Sequence, residues 1–290
     1  MIENRTAAFF RSEETLPARQ LVTSLLNHRT ALQSLIEGTA DESLQRRLLT
    51  ALGETEALTG WTLFDLGRGR DAVRMYRSAL DSAKEIGDGP LAACVLGYWS
   101  YLVESQGDTP GAIRMLEGAS EQVRGSGPAT QAWIAARLAE EAAETGDTYQ
   151  ALRALERAVT VFDYASPESE RPWTCFFTPS RLGSLAVSTY GRLSHPETDK
   201  EAATLLGSLS PTENKVRALV MADLAMSAAR AGDIDRVGSL ADQSAPLAVR
   251  TEASLALDRL WTIVEMLPGR GTGTGVRTRE RLKESLLQTT

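Results

Sequence analysis

Near-regular glycines constrain the fold of this chain more than any other feature. Gly67, Gly107, Gly146, Gly191 and Gly232 lie 40, 39, 45 and 41 residues apart. The stretches between them are rich in Ala, Leu, Glu and Arg, with apolar residues three and four positions apart, which is typical of helices rather than strands. A repeat of this length indicates an array of helical hairpins. We therefore predict an all-α fold in which each glycine marks a hairpin tip.

Aspartate follows three of these glycines, at Asp108, Asp147 and Asp233. A glycine in the left-handed conformation closes a helix well, and an aspartate oxygen accepts a hydrogen bond from the first turn of the next helix. The Gly-Asp pairs therefore predict tight turns between successive helices.

Fixed offsets from four of the glycines carry residues of a defined size. The positions seven before, five after and twelve after are small, and the position nine after is generally larger, which suits two closely packed helices. This order resembles the tetratricopeptide repeat, with a period of about 40 residues instead of the usual ~34. The residues that carry the resemblance are Gly60, Ala72, Tyr76 and Ala79; Ser100, Ala112, Leu116 and Ala119; Ala139, Ala151, Leu155 and Ala158; and Ala225, Val237, Ala241 and Ser244.

The resemblance implies a right-handed superhelical array of helix-turn-helix hairpins that forms one α-solenoid domain over residues 1–290. Residues 1–43 are expected to be N-terminal capping helices, and residues 44–250 about five hairpins. A capping helix, a glycine-rich linker and a terminal helix follow in residues 251–290. Two prolines bracket the polar residues 166–172, which predicts an exposed loop there.

Composition excludes several function classes. The net charge of -7 gives no long-range attraction to nucleic acid or anionic lipid. Two cysteines and two histidines supply neither a disulfide framework nor a four-ligand zinc site. The N-terminus has no apolar signal core and no stretch is long enough to cross a bilayer. We therefore expect a cytoplasmic protein with no cofactor, no metal and no membrane partner.

Several short segments together are similar to one known family. These segments are Leu58-Thr59-Gly60-Trp61, Asp65-Leu66-Gly67, Ala92-Ala93, Val95-Leu96-Gly97, Pro172-Trp173 and Phe176-Phe177. They resemble the C-terminal tetratricopeptide-repeat sensor regions of actinobacterial helix-turn-helix regulators of the Xre type, from about Thr15 onward. No DNA-binding domain precedes that residue, so we expect a free-standing paralogue or an excised sensor domain without direct nucleic acid binding. The resemblance implies signal sensing and, more distantly, peptide binding in a concave groove.

In such an array the first helix of each hairpin lines the concave groove. Aromatic residues there supply contact area and charged residues supply orientation for a peptide or small molecule. The alternative is that the aromatic residues are hairpin core. The candidate groove residues are Glu54, Trp61, Phe64, Tyr101, Glu104, Trp133, Arg137, Glu140 and Arg181.

A second aromatic group follows the proline-bracketed loop, at Trp173, Phe176 and Phe177. It is either a lid that closes over a ligand or a hydrophobic staple for the next helix. Cys175 within it is expected to be an incidental thiol rather than a nucleophile, because no histidine is close in sequence. The neighbouring acids Glu140 and Glu141 are also interpreted as part of a solvated face.

The favoured function is a non-catalytic sensor or adaptor that binds a peptide, a small signal molecule or a partner protein in its groove, in transcriptional regulation. The alternative is an enzyme or accessory factor of specialised metabolism that uses the groove as a substrate pocket. A scaffold that joins two proteins is a third hypothesis. The Ala- and Leu-rich residues 218–231 and 255–267 offer a face for a homodimer.

Overall fold

A computed structural model gives the fold, and it describes residues 2–13, 15–124 and 127–287. Within those ranges it contains fourteen α-helices and one 3-10 helix and no strand, which confirms the all-α prediction. The chain divides into two compact units. Unit 1 is Met1–Thr145 with Tyr149–Thr178, and unit 2 is Gly146–Thr148 with Pro179–Thr290. No helix in the described part of the chain combines the length and apolarity needed to span a membrane.

Unit 1 holds the first eight helices and the 3-10 helix. They are α1 (Ile2–Glu13), α2 (Ala18–Glu37), α3 (Glu42–Asp65), α4 (Gly69–Ile86), α5 (Gly89–Ser105), α6 (Thr109–Gln122), α7 (Pro128–Glu144), α8 (Thr148–Phe162) and the 3-10 helix η1 (Pro172–Phe176). Helices α1 and α2 lie within residues 1–43, where the sequence predicts N-terminal capping helices.

Helix packing in unit 1 follows one rule along the chain. Helix α3 packs against α4 and α5, and α5 packs against α6 and α7. The second helices α4 and α6 also contact the first helix of the following hairpin. The pair α1 and α2 shows the same order, because both contact α3. The helices α1, α3, α5 and α7 are therefore the first helices of successive pairs, and we call them the first helices of unit 1.

Unit 2 repeats this order with six helices. They are α9 (Pro179–Arg192), α10 (Thr198–Ser208), α11 (Asn214–Ala231), α12 (Ile234–Thr251), α13 (Ser254–Met266) and α14 (Thr274–Leu287). Helix α11 packs against α9, α12 and α13, and α14 packs against both α12 and α13. The predicted capping and terminal helices thus pack as a further pair. Buried alanines of α11 and Leu260 and Ile263 of α13 form the core of this unit, so the apolar residues that suggested a homodimer are used inside it.

The glycine tips take the predicted backbone conformation at four of five positions. The φ angles of Gly67, Gly107, Gly146 and Gly232 are 68°, 82°, 77° and 76°, in the left-handed region that glycine adopts without strain. The side chain of Asp108 accepts a hydrogen bond from the Gly111 backbone at 2.9 Å. Asp233 caps α12 in the same way, with Arg236 N at 3.1 Å. The predicted turn chemistry is confirmed at these positions.

The prediction for Gly191 is wrong. This residue lies buried inside α9, which continues to Arg192. The left-handed residue is instead Ser194, with φ 51°, and the chain turns where His195 N donates to the carbonyl of Tyr190 at 2.9 Å. The helix therefore ends beyond the glycine, and a polar residue takes the strained position.

The size pattern of the repeat is confirmed by burial. All sixteen residues at the four offsets are buried. The closest approach is at Gly60, where a Cβ atom would lie 2.5 Å from the ring of Tyr76. A glycine is therefore required on α3 because the facing position on α4 carries an aromatic ring.

Candidate ligand-binding face

Aromatic side chains form a continuous row on the first helices of unit 1. The Trp61 ring lies 5.3 Å from Tyr98 and 5.4 Å from Tyr101. Tyr98 in turn lies 5.1 Å from Trp133. These centroid distances are typical of favourable aromatic pairs. We call Trp61, Tyr98, Tyr101 and Trp133 the aromatic row; it joins α3, α5 and α7, and Phe64 packs against its Trp61 end at 5.5 Å.

A buried arginine lies beside this row. Arg137 follows Trp133 by one helical turn, and its guanidinium carbon lies 3.7 Å from the centroid of the Tyr101 ring, which is a cation–π contact. It also forms ion pairs with Glu140 and Glu141 on its own helix. Burial opposes the charge of Arg137, but the nearby carboxylates of Glu141 and Glu140 outweigh it, so its pKa is raised. The arginine is therefore a fixed positive charge.

The prediction of a solvated face at Glu140 and Glu141 is wrong. Glu140 is 1% exposed and Glu141 is 0% exposed. Nearly every position of α7 from Ala132 to Ala143 is buried, so this helix has no open face. Each carboxylate is instead paired with Arg137, as a charge at this depth requires.

Residues 166–177 cross the aromatic row, and we call this segment the strap. Arg171 of the strap donates to Glu54 on α3 at 3.0 Å and to Asp88 at the start of α5 at 2.8 Å. Its guanidinium also lies 4.3 Å from the ring of Trp173. Partial burial opposes its charge, but the hydrogen bonds to Asp88 and Glu54 prevail and raise the pKa of Arg171.

The aromatic residues of the strap extend these contacts. The buried Trp173 donates from Nε1 to the Thr130 hydroxyl on α7 at 3.0 Å. The Phe176 ring lies 5.1 Å from Trp133 in an edge-on arrangement and 6.3 Å from Tyr98. The η1 part of the strap packs against α1 and α3. The strap therefore contacts all four first helices of unit 1.

The beginning of the strap is fixed by Glu170. Its carboxylate accepts hydrogen bonds from Ala129 N at 3.1 and 3.0 Å, at the N-terminus of α7, and from Ser166 N at 3.0 Å. A Cβ atom at Gly127 would lie 2.1 Å from this carboxylate, so the glycine makes the contact sterically possible. The predicted loop is exposed over much of its length, as expected, but it is anchored at its end.

The strap explains why α3 is buried on every side. Each position from Ala51 to Phe64 is buried. A helix turns by about 100° per residue, so fourteen successive buried residues leave no face open. Helices α1, α2, α4 and α5 and the strap together surround it. The face that the resemblance assigns to a groove is therefore covered by the chain itself.

Most of the predicted groove residues come together in unit 1. Glu104 is half-buried, and its charge helps to raise the pKa of Arg137. Arg181 lies in unit 2, in the first turn of α9, and is half-buried. The other predicted residues are buried in unit 1: Trp61, Phe64, Tyr101, Trp133, Arg137, Glu140, Trp173 and Phe177. Whether any of them binds a ligand stays a prediction.

The sequence interpretation missed three residues of this face. Tyr98 could have been predicted from the sequence, because it precedes Tyr101 by three positions and so shares a helix face with it. The pairing of Asp88 with Arg171 could not have been predicted, because 83 residues separate them and neither belongs to a local motif.

Two buried donors on α7 have no acceptor among the described residues. They are Nε1 of Trp133 and Nε of Arg137. Buried donors are normally hydrogen-bonded, and these two lie one turn apart on the same helix. They are therefore available to an acceptor group that reaches this part of the face.

The Cys94 thiol is not a nucleophile. Cys94 is fully buried, and burial followed by the nearby charge of Glu54 raises the pKa of its thiol. A raised pKa keeps the Cys94 sulfur protonated and unreactive. Cys175 on the strap is half-buried, and its expected role as an incidental thiol stays a prediction.

Comparison with models of protein families finds none that matches the chain. Comparison with curated proteins finds no relative either. The geometry of the face is therefore the basis of the functional proposal.

Proposed function

We propose that the protein is a non-catalytic tetratricopeptide-like sensor or adaptor that binds a peptide, a small signal molecule or a partner protein on the first helices of unit 1. The observation that carries this proposal is the strap. A short segment of the chain already lies across these helices, with Arg171 on two carboxylates and Phe176 against Trp133. The same surface has the chemistry to hold a short segment of another molecule.

The proposal includes a right-handed superhelical array and a cytoplasmic role in transcriptional regulation. The identical packing order of helices within each unit supports the array. The regulatory role rests on the resemblance to the sensor regions of Xre-type regulators. In such an array each hairpin contacts only its neighbours, so a bound ligand acts by changing the curvature.

A second candidate is an enzyme or accessory factor of specialised metabolism. Arg137 favours it, because a buried arginine held by Tyr101 and two carboxylates can orient a substrate. Against it, the ion pairs of Arg137 are formed within one helix and hold its charge in place without a substrate.

Native mass spectrometry of the protein isolated from its host tests the proposal. We expect an extra mass of a few hundred to about two thousand daltons on part of the protein, lost on denaturation, and fragmentation that identifies it. The Arg171→Ala variant should change the fraction of loaded protein, since it loosens the strap. Arg153→Ala, on the exposed side of α8, is the matched control and should not.

Three results bear on the alternatives. A second polypeptide in place of a small ligand indicates an adaptor or scaffold. A ligand that the protein converts to a product favours the enzyme. Protein that carries no ligand and no partner under any growth condition contradicts the proposal.

A further inference from the structure

The face under the strap has an excess of negative charge. Two carboxylates lie directly under it, Glu54 and Asp88, and both bind Arg171 of the strap. Three more on the first helices, Glu104, Glu140 and Glu141, raise the pKa of the nearby Arg137. Displacement of the strap therefore removes the arginine from Glu54 and Asp88, and these two carboxylates attract an incoming cation.

The strap shows which kind of segment satisfies this face. Arg171 supplies the cation, and its planar guanidinium reaches two carboxylates at once. Two residues later Trp173 is fully buried, and three residues after that Phe176 packs edge-on against Trp133. Proline at position 172 restricts the backbone between them. The pattern is an arginine followed by two spaced aromatic residues.

We infer that the ligand of the first-helix face of unit 1 is a basic, aromatic peptide segment with an arginine two residues before a first aromatic residue, and that the strap occupies its site in cis. This inference rests on the proposed function and specifies its ligand. A partner segment displaces the strap by placing its own arginine on Glu54 and Asp88 and its rings against the aromatic row.

The strap belongs to the same chain and competes with any free peptide for the first-helix face of unit 1, which is why this face is covered in the structure. A tethered segment has an effective concentration in the millimolar range, so a free peptide of equal intrinsic affinity binds the intact protein weakly. Weakening the tethered copy raises the apparent affinity for the free one, because the competent state becomes more populated. The charge of Arg171 is the contact to remove first, since its side chain is 31% exposed and its loss leaves the fully buried Trp173 and Phe177 in place.

The experiment measures binding of a labelled synthetic peptide to the full chain by fluorescence anisotropy. The peptide has the sequence of residues 166–178 with serine at position 175 to prevent oxidation. A second peptide carries alanine in place of the arginine. The proteins are the unchanged chain, Arg171→Ala, and the control Arg153→Ala. Trp173→Ala is a further variant with a weakened strap, in case one substitution does not open the site.

We expect the arginine peptide to bind Arg171→Ala about tenfold more tightly than it binds the unchanged chain or the control. The alanine peptide should bind that variant at least about tenfold more weakly, since it lacks the charged hydrogen bonds. Adding Asp88→Asn, which keeps an oxygen to cap α5, should reduce the difference between the two peptides.

Two outcomes overturn the inference and are distinguishable. Equal binding of the arginine and alanine peptides means that the face binds aromatic segments without selecting a cation, and the proposed function survives. Binding of neither peptide to Arg171→Ala or Trp173→Ala means that the strap is a permanent part of the core. The native mass measurement then decides the proposed function independently.

Discussion

Arg137 in unit 1 and Asp223 in unit 2 occupy the same position of the repeat, nine residues before the tip glycines Gly146 and Gly232. Both are buried charges on first helices. Arg137 is paired within its own helix, with Glu140 and Glu141. Asp223 is paired across helices, with Arg259 on α13.

The two charges are therefore buried in two different ways, one with partners on the same helix and one with a partner on another helix. The ion pairs of Arg137 join residues three and four positions apart, so α7 forms them wherever it packs, and these ion pairs do not define its neighbours. The contact between Asp223 and Arg259 joins two successive first helices and therefore favours one register between α11 and α13. Unit 1 instead defines its register with the aromatic row and the strap.

The largest expected effect comes from Arg137→Met. The substitution leaves Glu140 and Glu141 buried without their cation, and breaking a buried pair costs about 3–5 kcal/mol of unfolding free energy. Denaturant unfolding followed by circular dichroism measures the loss. The triple variant with Glu140→Gln and Glu141→Gln should recover much of it. A loss under about 1 kcal/mol for Arg137→Met would show that water reaches these acids.

Arg259→Met in unit 2 should cost somewhat less, about 3 kcal/mol, because it removes the cation from one carboxylate instead of two and both partners are slightly exposed. The double variant Asp223→Leu with Arg259→Met should be close to the unchanged protein in stability. Amide hydrogen exchange distinguishes the register role: exchange in α11 and α13 should increase in the double variant even where overall stability is retained. Unchanged exchange there would contradict that role.

Gly60→Ala tests the size pattern that both units share. In unit 2 the equivalent pair is Ala225 with Ala241, whereas unit 1 pairs Gly60 with Tyr76. The added methyl group meets the Tyr76 ring at 2.5 Å, so we expect a loss of about 1–3 kcal/mol. In Gly60→Ala with Tyr76→Leu, which is the combination at Ala139 and Leu155, the clash should be absent. Additive effects in a double-mutant cycle would rule out direct contact between the two positions.

The smallest expected effect is a difference between the two units in the pH dependence of stability. Burial raises the pKa of Glu56 on α3, partly offset by hydrogen bonds from Ser78 and Arg29. The folded state then keeps a proton that the unfolded chain has released, so this group makes unit 1 less stable as pH rises above its ordinary pKa of 4.5. Unfolding of Glu56→Gln at several pH values should lack this slope.

In unit 2, Asp199 should give the opposite pH dependence of stability. The hydrogen bond from Arg236 lowers the pKa of this carboxyl below its ordinary value of 3.8. Its stabilising contribution is present above that pH and is lost as pH falls through the lowered pKa. The pair is largely exposed, so Asp199→Asn should cost less than about 1 kcal/mol at neutral pH. If Glu56→Gln and Asp199→Asn changed the pH dependence of the unfolding free energy in the same direction, the comparison would be contradicted.

Most of the fold was predictable because its determinants are local. The turns at Gly107 and Gly232 need only a left-handed glycine followed by a capping aspartate, and both are neighbours in sequence. Gly191 shows the limit of this reasoning. Gly191 lies inside α9, where a Cβ atom would meet its neighbours only at ordinary contact distances of 3.7 Å or more, and the spacing of glycines alone does not distinguish a helix interior from a turn.

The candidate face was predictable only in part. Trp61, Tyr101 and Trp133 lie on the first helices of successive hairpins, which the repeat predicts to share a face, and the structure brings them together. The strap was not predictable as their cover, since the contact between Arg171 and Glu54 spans 117 residues. The burial of Glu140 and Glu141 was not predictable either, because periodicity shows one covered face of a helix and not two.

The long span between Arg171 and Glu54 also determines the order in which unit 1 is completed during synthesis. The ribosome must add 117 further residues after Glu54 before its partner exists. At about 5–20 residues per second this takes roughly 6 to 23 seconds. During that time α3, α5 and α7 emerge before the strap that covers their aromatic row, so the nascent chain exposes this apolar surface. The strap is the last part of unit 1 to leave the ribosome, and its arrival ends that exposure.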